Sequence, residues 1–150
     1  MSENFVRKRI LEVLEKGYLL SLGTIDDGGV WVSEVIYVYD DNLNIYWMSK
    51  PSCRHSKALQ KNSNIAGTIT ISNNIKDLDF GLQLSGKIME VEENKVNLII
   101  KFLKKKCKSI PQDPLKIMSS GFIWYKITPT KIDLIDQENF GYEKREMNIS

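Results

Sequence analysis

At 150 residues the chain is long enough for one domain that buries about two-thirds of its unfolded surface, so neither a metal nor a disulfide is needed to hold it. Its 21 basic and 19 acidic residues leave a net charge of +2, which argues against nucleic-acid binding driven by bulk electrostatics. Cys53 and Cys107 stand far apart, with no CxxC pair and no ligand-spaced His or carboxylates to hold a metal; with no apolar leader and no long apolar run, the expectation is a cytoplasmic protein that touches no membrane.

The first element is a helix over Ser2–Lys16. Phe5, Val6, Ile10, Val13 and Leu14 recur close to the helical period, Ser2 offers an N-cap and Gly17 a stop. Strands follow: Tyr18–Ile25, a D-D-G-G turn at Asp26–Gly29, Val30–Tyr39, a D-D-N turn at Asp40–Asn42, and Leu43–Ser49. Short Val, Ile, Tyr and Trp runs split by Asp/Asn/Gly turns form an antiparallel meander, not βαβ units.

A basic helix then spans Cys53–Lys61, and its first turn gathers Ser52, Arg54, His55, Ser56 and Lys57. Arg54 is one of four arginines and His55 is the single histidine. A helix start offers unpaired N–H groups and positive potential, and Arg grips phosphate oxygens as a fork. A solvated basic surface turn has the same composition, so this segment alone leaves both readings open. Cys53 beside Arg54 is either a thiol with a lowered pKa or simply a small residue at a helix start, the second being the simpler.

Two more strands are expected at Asn64–Ser72 and Gly81–Val91, then a helix over Glu92–Lys106 with Val96, Ile99, Ile100 and Leu103 on its apolar face. The lysines at 104–106 and Lys108 complement that helix's C-terminal dipole, a reading preferred to an RNA-binding patch. Ser109–Ser120, with Pro111 and Pro114, reads as a loop. Phe122–Thr128 and Lys131–Asp136 read as a final pair of strands around Pro129, before a polar tail from Gln137 to Ser150. No repeat or composition shift marks a second domain over 1–150. About seven strands and three helices give a mainly β, α+β fold: a six- or seven-stranded antiparallel barrel, whose curling hides strand edges. Trp31, Tyr37, Trp47 and Trp124 are expected in barrel packing before any ligand stacking.

Several blocks carry a family resemblance: L-L-S-L-G-T-I-D-D-G-G-V-W-V-S-E-V-I-Y-V-Y-D, M-S-K-P-S-C-R-H-S-K-A-L-Q-K-N-S-N-I-A-G-T-I and L-Q-L-S-G-K-I-M-E-V, with F-G-Y-E-K in the tail. In these the chain resembles the pyridoxamine 5′-phosphate oxidase-like superfamily of FMN-binding split barrels, and within it the YhbP-like subgroup. The resemblance implies a homodimer with FMN across the interface. It implies phosphate contacts from Ser52, Arg54, His55 and Lys57, with His55 standing where other members often carry Lys. It puts Met48 and Ser49 on the ribityl chain or ring, Ser33, Val35, Ile36, Tyr37 and Val38 along the isoalloxazine, and Gln83 within reach of the cofactor. The implied activity is flavin-dependent oxidoreduction of a small molecule, with NAD(P)H as a candidate electron donor and no metal. A non-catalytic flavin or ligand binder is the alternative. The Arg-x-His motif of true pyridoxamine phosphate oxidases is missing from the tail, and no Ser/His/Asp or Cys/His hydrolase set can be assembled.

Overall fold

The computed structural model describes residues 2–116 and 121–149; the end of the expected 109–120 loop and the last tail residue lie outside the described residues. Helix α1 (Glu3–Lys16) begins and ends where expected: the Ser2 hydroxyl accepts from the Phe5 N–H at 3.3 Å, and the Gly17 N–H donates to the Val13 carbonyl at 2.8 Å. Its buried stripe of Val6, Ile10, Val13 and Leu14 joins the main core, packing the helix against the interior of the sheet.

Strands β1 (Leu19–Asp26) and β2 (Gly29–Ile36) form the expected hairpin, with Asp26 opposite Gly29 at a positive φ that glycine adopts without strain. The expected strand Val30–Tyr39 is not continuous. Tyr37 breaks it, and β3 (Val38–Tyr39) pairs with β4 (Ile45–Ser49) while β2 pairs with β1. The break has a physical cause: the Tyr37 ring is fully buried and its hydroxyl donates to the Leu14 carbonyl at 2.9 Å, drawing the chain toward the end of α1.

Helix α2 (Arg54–Lys61) leads into β5 (Asn64–Thr70) and β6 (Phe80–Val91). Helix α3 (Lys95–Lys105) starts later than the expected Glu92, because Asn94 takes a left-handed φ of 56° that ends β6's extension before the helix begins. Leu98, Ile99 and Leu103 are its buried residues, and Val96 is exposed. The expected final pair of strands is one strand, β7 (Ile123–Asp136), which pairs along the whole of β6. The register slips by one residue where Ser85 faces Lys131 and Gly86 faces Pro129, a bulge that admits a proline lacking an N–H. The expected polar tail folds as well, into α4 (Gln137–Phe140) and β8 (Arg145–Met147), with β8 paired to β7.

The sheet runs β2-β1-β5-β6-β7-β4-β3, antiparallel throughout, with β8 beside β7. Its two end strands, β2 and β3, are consecutive in the chain, so the sheet curls into a half-barrel whose ends meet at Tyr37. One apolar cluster fills the interior, where Trp47 stacks on Tyr125 at 5.3 Å. A second lies under α3, where Leu98, Ile99 and Leu103 cover Val38 and Trp124. Tyr37, Trp47 and Trp124 are thus packing residues, as expected; Trp31 is 45% exposed.

Candidate functional site

The site is built on the junction of β4 and α2. Pro51 and Ser52 turn the chain, and Cys53 is the N-cap, its side chain making no capping hydrogen bond to the first turn of α2. Cys53 itself is half-buried. Lys57 already donates its N–H to the Cys53 carbonyl at 3.0 Å, leaving the earlier N–H groups of the turn as its anion-binding end.

Arg54 projects outward and meets the β1–β2 hairpin. Its Nε and Nη2 donate to the two Asp26 oxygens at 2.8 and 3.0 Å, and its guanidinium carbon lies 4.2 Å from the centre of the Trp31 ring. The hydrogen bonds from Arg54 draw the Asp26 pKa below its usual range. Ser52, Arg54 and Lys57 border one open groove of about 500 Å³ with Asp26 and Gly28. Gly28 makes this approach feasible, since a Cβ there would sit 2.9 Å from Arg54 Nη2 and 3.2 Å from Asp26 Oδ1. Lys61 is held at 3.3 Å by Asp27, while Lys57 has no carboxylate partner among the described residues.

His55 points the other way. Its Nε2 is 2.8 Å from Ser49 Oγ at the end of β4, and the Ser56 hydroxyl donates to the same oxygen at 3.3 Å. Burial pushes the His55 pKa down, so near neutral pH the ring is an uncharged hydrogen-bonding partner and not the cation its position suggests. Ser49 is only 6% exposed.

The other residues named from the sequence scatter. Val35 and Tyr37 are in the interior core, and Ser33 shares its face of the sheet with the buried Leu22. Ile36 is half-buried and pairs with Leu19 on the outer face. Val38 and Met48 belong to the cluster under α3. Gln83 lines a separate groove with Thr68, Thr70 and Asp79. Sequence reasoning missed Asp26, Gly28, Trp31 and Lys61 as neighbours of the basic turn. Asp26 and Gly28 are legible as turn residues, yet only the packing of α2 on the hairpin, 28 residues away at Arg54–Asp26, links them to the site.

The residues present suit a phosphate-bearing group. The N-cap side chain leaves the first turn open, three cations (Arg54, Lys57 and Lys61) and the Ser52 hydroxyl border one groove with Asp26 and Asp27, and the small Gly28 keeps it open; Asp26 occupies the fork of Arg54 that a phosphate would use. Among the described residues there is no cluster of His, Cys, Asp or Glu that could hold a metal, and no helix is long and apolar enough to cross a membrane.

No protein-family model matches the chain. A UPF0306 protein of Pasteurella multocida is 28% identical over 83 residues, covering 55% of this chain and 56% of that relative. Another, from Photorhabdus laumondii, is 29% identical over 96 residues, covering 63% of this chain and 65% of the relative. The chain thus spans somewhat more than half the length of the curated relatives it matches. Among solved structures, general stress protein 26 of Bacillus anthracis superposes with a TM-score of 0.69 at 16% identity, over 96% of this chain and 98% of that one. A candidate pyridoxamine 5′-phosphate oxidase of Listeria innocua gives 0.66 at 17%, over 87% and 98%. HutZ, the heme storage protein of Vibrio cholerae, gives 0.62 at 16%, over 81% and 88%. The chain therefore has the split-barrel fold of the pyridoxamine 5′-phosphate oxidase-like proteins and is similar in sequence to the UPF0306 proteins.

Proposed function

We propose that the protein binds FMN, with the phosphate in the groove at the start of α2, and acts as a flavin-dependent oxidoreductase on a small molecule with NAD(P)H as electron donor. The observation that carries this reading is the uncapped first turn of α2 with Ser52, Arg54 and Lys57 on one open groove. Arg54 and Lys57 would hold the phosphate by charge and the free N–H groups would complete its shell. Asp26 must first release the Arg54 fork, so binding exchanges one anion for another and not a hydrated cation for a paired one. The half-exposed Trp31 ring, held against the Arg54 guanidinium beside the groove, gives a flat ring a surface from which water is readily displaced. The flavin would supply hydride and electron transfer; the chain's share is to bind, orient and shield it.

The reading includes a homodimer. On the outer face of β1–β2, Ile25, Val30 and Val32 are exposed and aligned by strand pairing, an apolar surface that a second copy of the chain would cover. One observation favours the alternative of a non-catalytic ligand binder: Arg54 is already neutralised by Asp26, which weakens any phosphate site.

The test is a titration of the purified protein with FMN and with riboflavin, read by flavin fluorescence. FMN should bind near one per subunit and clearly tighter than riboflavin, and Arg54→Ala should weaken FMN alone; equal affinities would end the phosphate assignment. Asp26→Asn should tighten FMN by releasing Arg54. Anaerobic NADH or NADPH should bleach the yellow complex, whereas a complex that stays yellow, or a protein that takes up heme and no flavin, would favour the non-catalytic reading.

A further inference from the structure

A cavity of about 670 Å³ lies between the C-terminal end of α1 and the face of α3, away from the groove at α2, with Val38 and Tyr39 in its floor. Four lysines line it, Lys16, Lys101, Lys104 and Lys105, against two carboxylates, Glu15 and Asp41. Lys105 is the inner one. Its Nζ donates to the Gly17 carbonyl at 2.8 Å and the Leu14 carbonyl at 3.1 Å, and lies 4.0 Å from the centre of the Tyr37 ring. Two of its three N–H donors are thereby used, and among the described residues no carboxylate lies within ion-pair distance of it. Burial pushes its pKa down to about 8 against an opposing pull from Glu15. A half-buried ammonium held by carbonyl oxygens and ring faces is a cation short of a counter-charge.

Its neighbours do not supply one. Glu15 accepts the Tyr39 hydroxyl at 2.6 Å, and Lys101 donates to the Tyr39 carbonyl at 2.8 Å. The Lys104 side chain has no partner among the described residues. Lys16 pairs with Glu12 at 3.9 Å. Lys101, Lys104 and Lys105 fall at helical spacings of three and four, which stacks like charges on one face of α3 and disfavours that helix unless something opposes them. Capping the end of α1 accounts for Lys105 alone. It does not account for two more ammonium groups around the same cavity.

We propose that this cavity binds a small organic dianion, a dicarboxylate or a phosphate monoester, between Lys101, Lys104 and the remaining N–H of Lys105. The site is independent of the FMN groove, and its test keeps the two apart by using the full chain with Arg54→Ala and Lys57→Ala together, which removes the two cations assigned to the phosphate there. Lysine 13Cε NMR signals are followed through pH titrations in malonate, in glycerol phosphate and in chloride at equal ionic strength, with Lys105 assigned by the signal lost in Lys105→Met. Malonate or glycerol phosphate should raise the Lys105 midpoint by about one unit while chloride leaves it in place. Lys104→Gln, at an exposed position outside the core, should weaken the effect about threefold to tenfold. A shift with malonate alone identifies the ligand as a dicarboxylate, and a shift with glycerol phosphate alone as a phosphate ester. An unmoved midpoint in both anions, or an effect that Lys104→Gln does not change, overturns the proposal.

Discussion

His55 follows Arg54 by one residue, and on a helix that step turns a side chain by about 100°. With Arg54 over the groove, the imidazole is carried toward the end of β4, where Ser49 receives it at 2.8 Å. The motif therefore shows the residue and hides its direction. A lowered His pKa means the unfolded chain takes up the proton first, so the stability this ring contributes is complete above its ordinary pKa of about 6.5 and is lost as pH falls below it. His55→Lys should cost about 1 to 3 kcal/mol in urea unfolding at pH 7.5, by setting an ammonium against the buried Ser49, while His55→Gln should cost less and flatten the loss between pH 7 and 5. Equal stability of all three proteins would put the ring in solvent. Asp136 offers the opposite sign. Burial would raise its pKa, but hydrogen bonds from Arg9 at 2.7 and 3.2 Å and from Asn139 overcome burial and leave the pKa lowered. Its contribution is therefore complete above the ordinary Asp value of about 3.9 and disappears as pH falls through the lowered folded value. Arg9→Met strands a carboxylate that is 1% exposed and should cost about 3 kcal/mol at pH 7, less at pH 3, by the same unfolding measurement.

Strand β7 is where local signals and tertiary pairing part company. Pro129 reads as a break because a proline cannot donate to a ladder, yet the bulge opposite Gly86 absorbs it, leaving Thr130 as the extra residue. Gly86 is tightly constrained: a Cβ there would meet the Thr128 carbonyl oxygen at 2.6 Å and the Pro129 Cα at 3.0 Å, both backbone atoms that cannot swing aside. Gly86→Ala should therefore destabilise by about 1 to 3 kcal/mol in chemical denaturation; a neutral result would mean that the bulge shifts freely. Elements with a full apolar period, α1 above all, were legible to the residue. Those defined by a partner were not. Three-residue β8 is too short to show alternation, and only its pairing with β7, which buries Met147 opposite Ile132, makes it a strand. Lys105 likewise reads as a cap for its own helix and instead caps α1.

At the scale of the whole molecule, the split barrel was legible from strand count and from the blocks of family resemblance, whereas the composition of the groove was not: Arg54 and Lys57 came from a contiguous motif, but Asp26 reaches them only through folding. Over residues 30–39 apolar side chains alternate to both faces, and α3 already covers Val38 while Val30 and Val32 remain 73% and 59% exposed. If that uncovered face is the dimer contact, Val32→Glu should shift the sedimentation of micromolar protein from dimer to monomer and lower FMN affinity with it; a wild type that sediments as a monomer would reject both. The junction at Tyr37 carries a kinetic consequence. Because β2 and β3 adjoin in the chain but terminate opposite ends of the sheet, β2 can zip onto β1 and β3 onto β4 early, while the β3–β4 hairpin joins the sheet only when β7 arrives from some eighty residues away. Seam closure is then a late step, after the rate-limiting barrier. Tyr37→Phe, which deletes the hydroxyl at the seam, should leave the refolding arm of a chevron plot unmoved and raise the unfolding rate, by about fivefold for a loss near 1 kcal/mol.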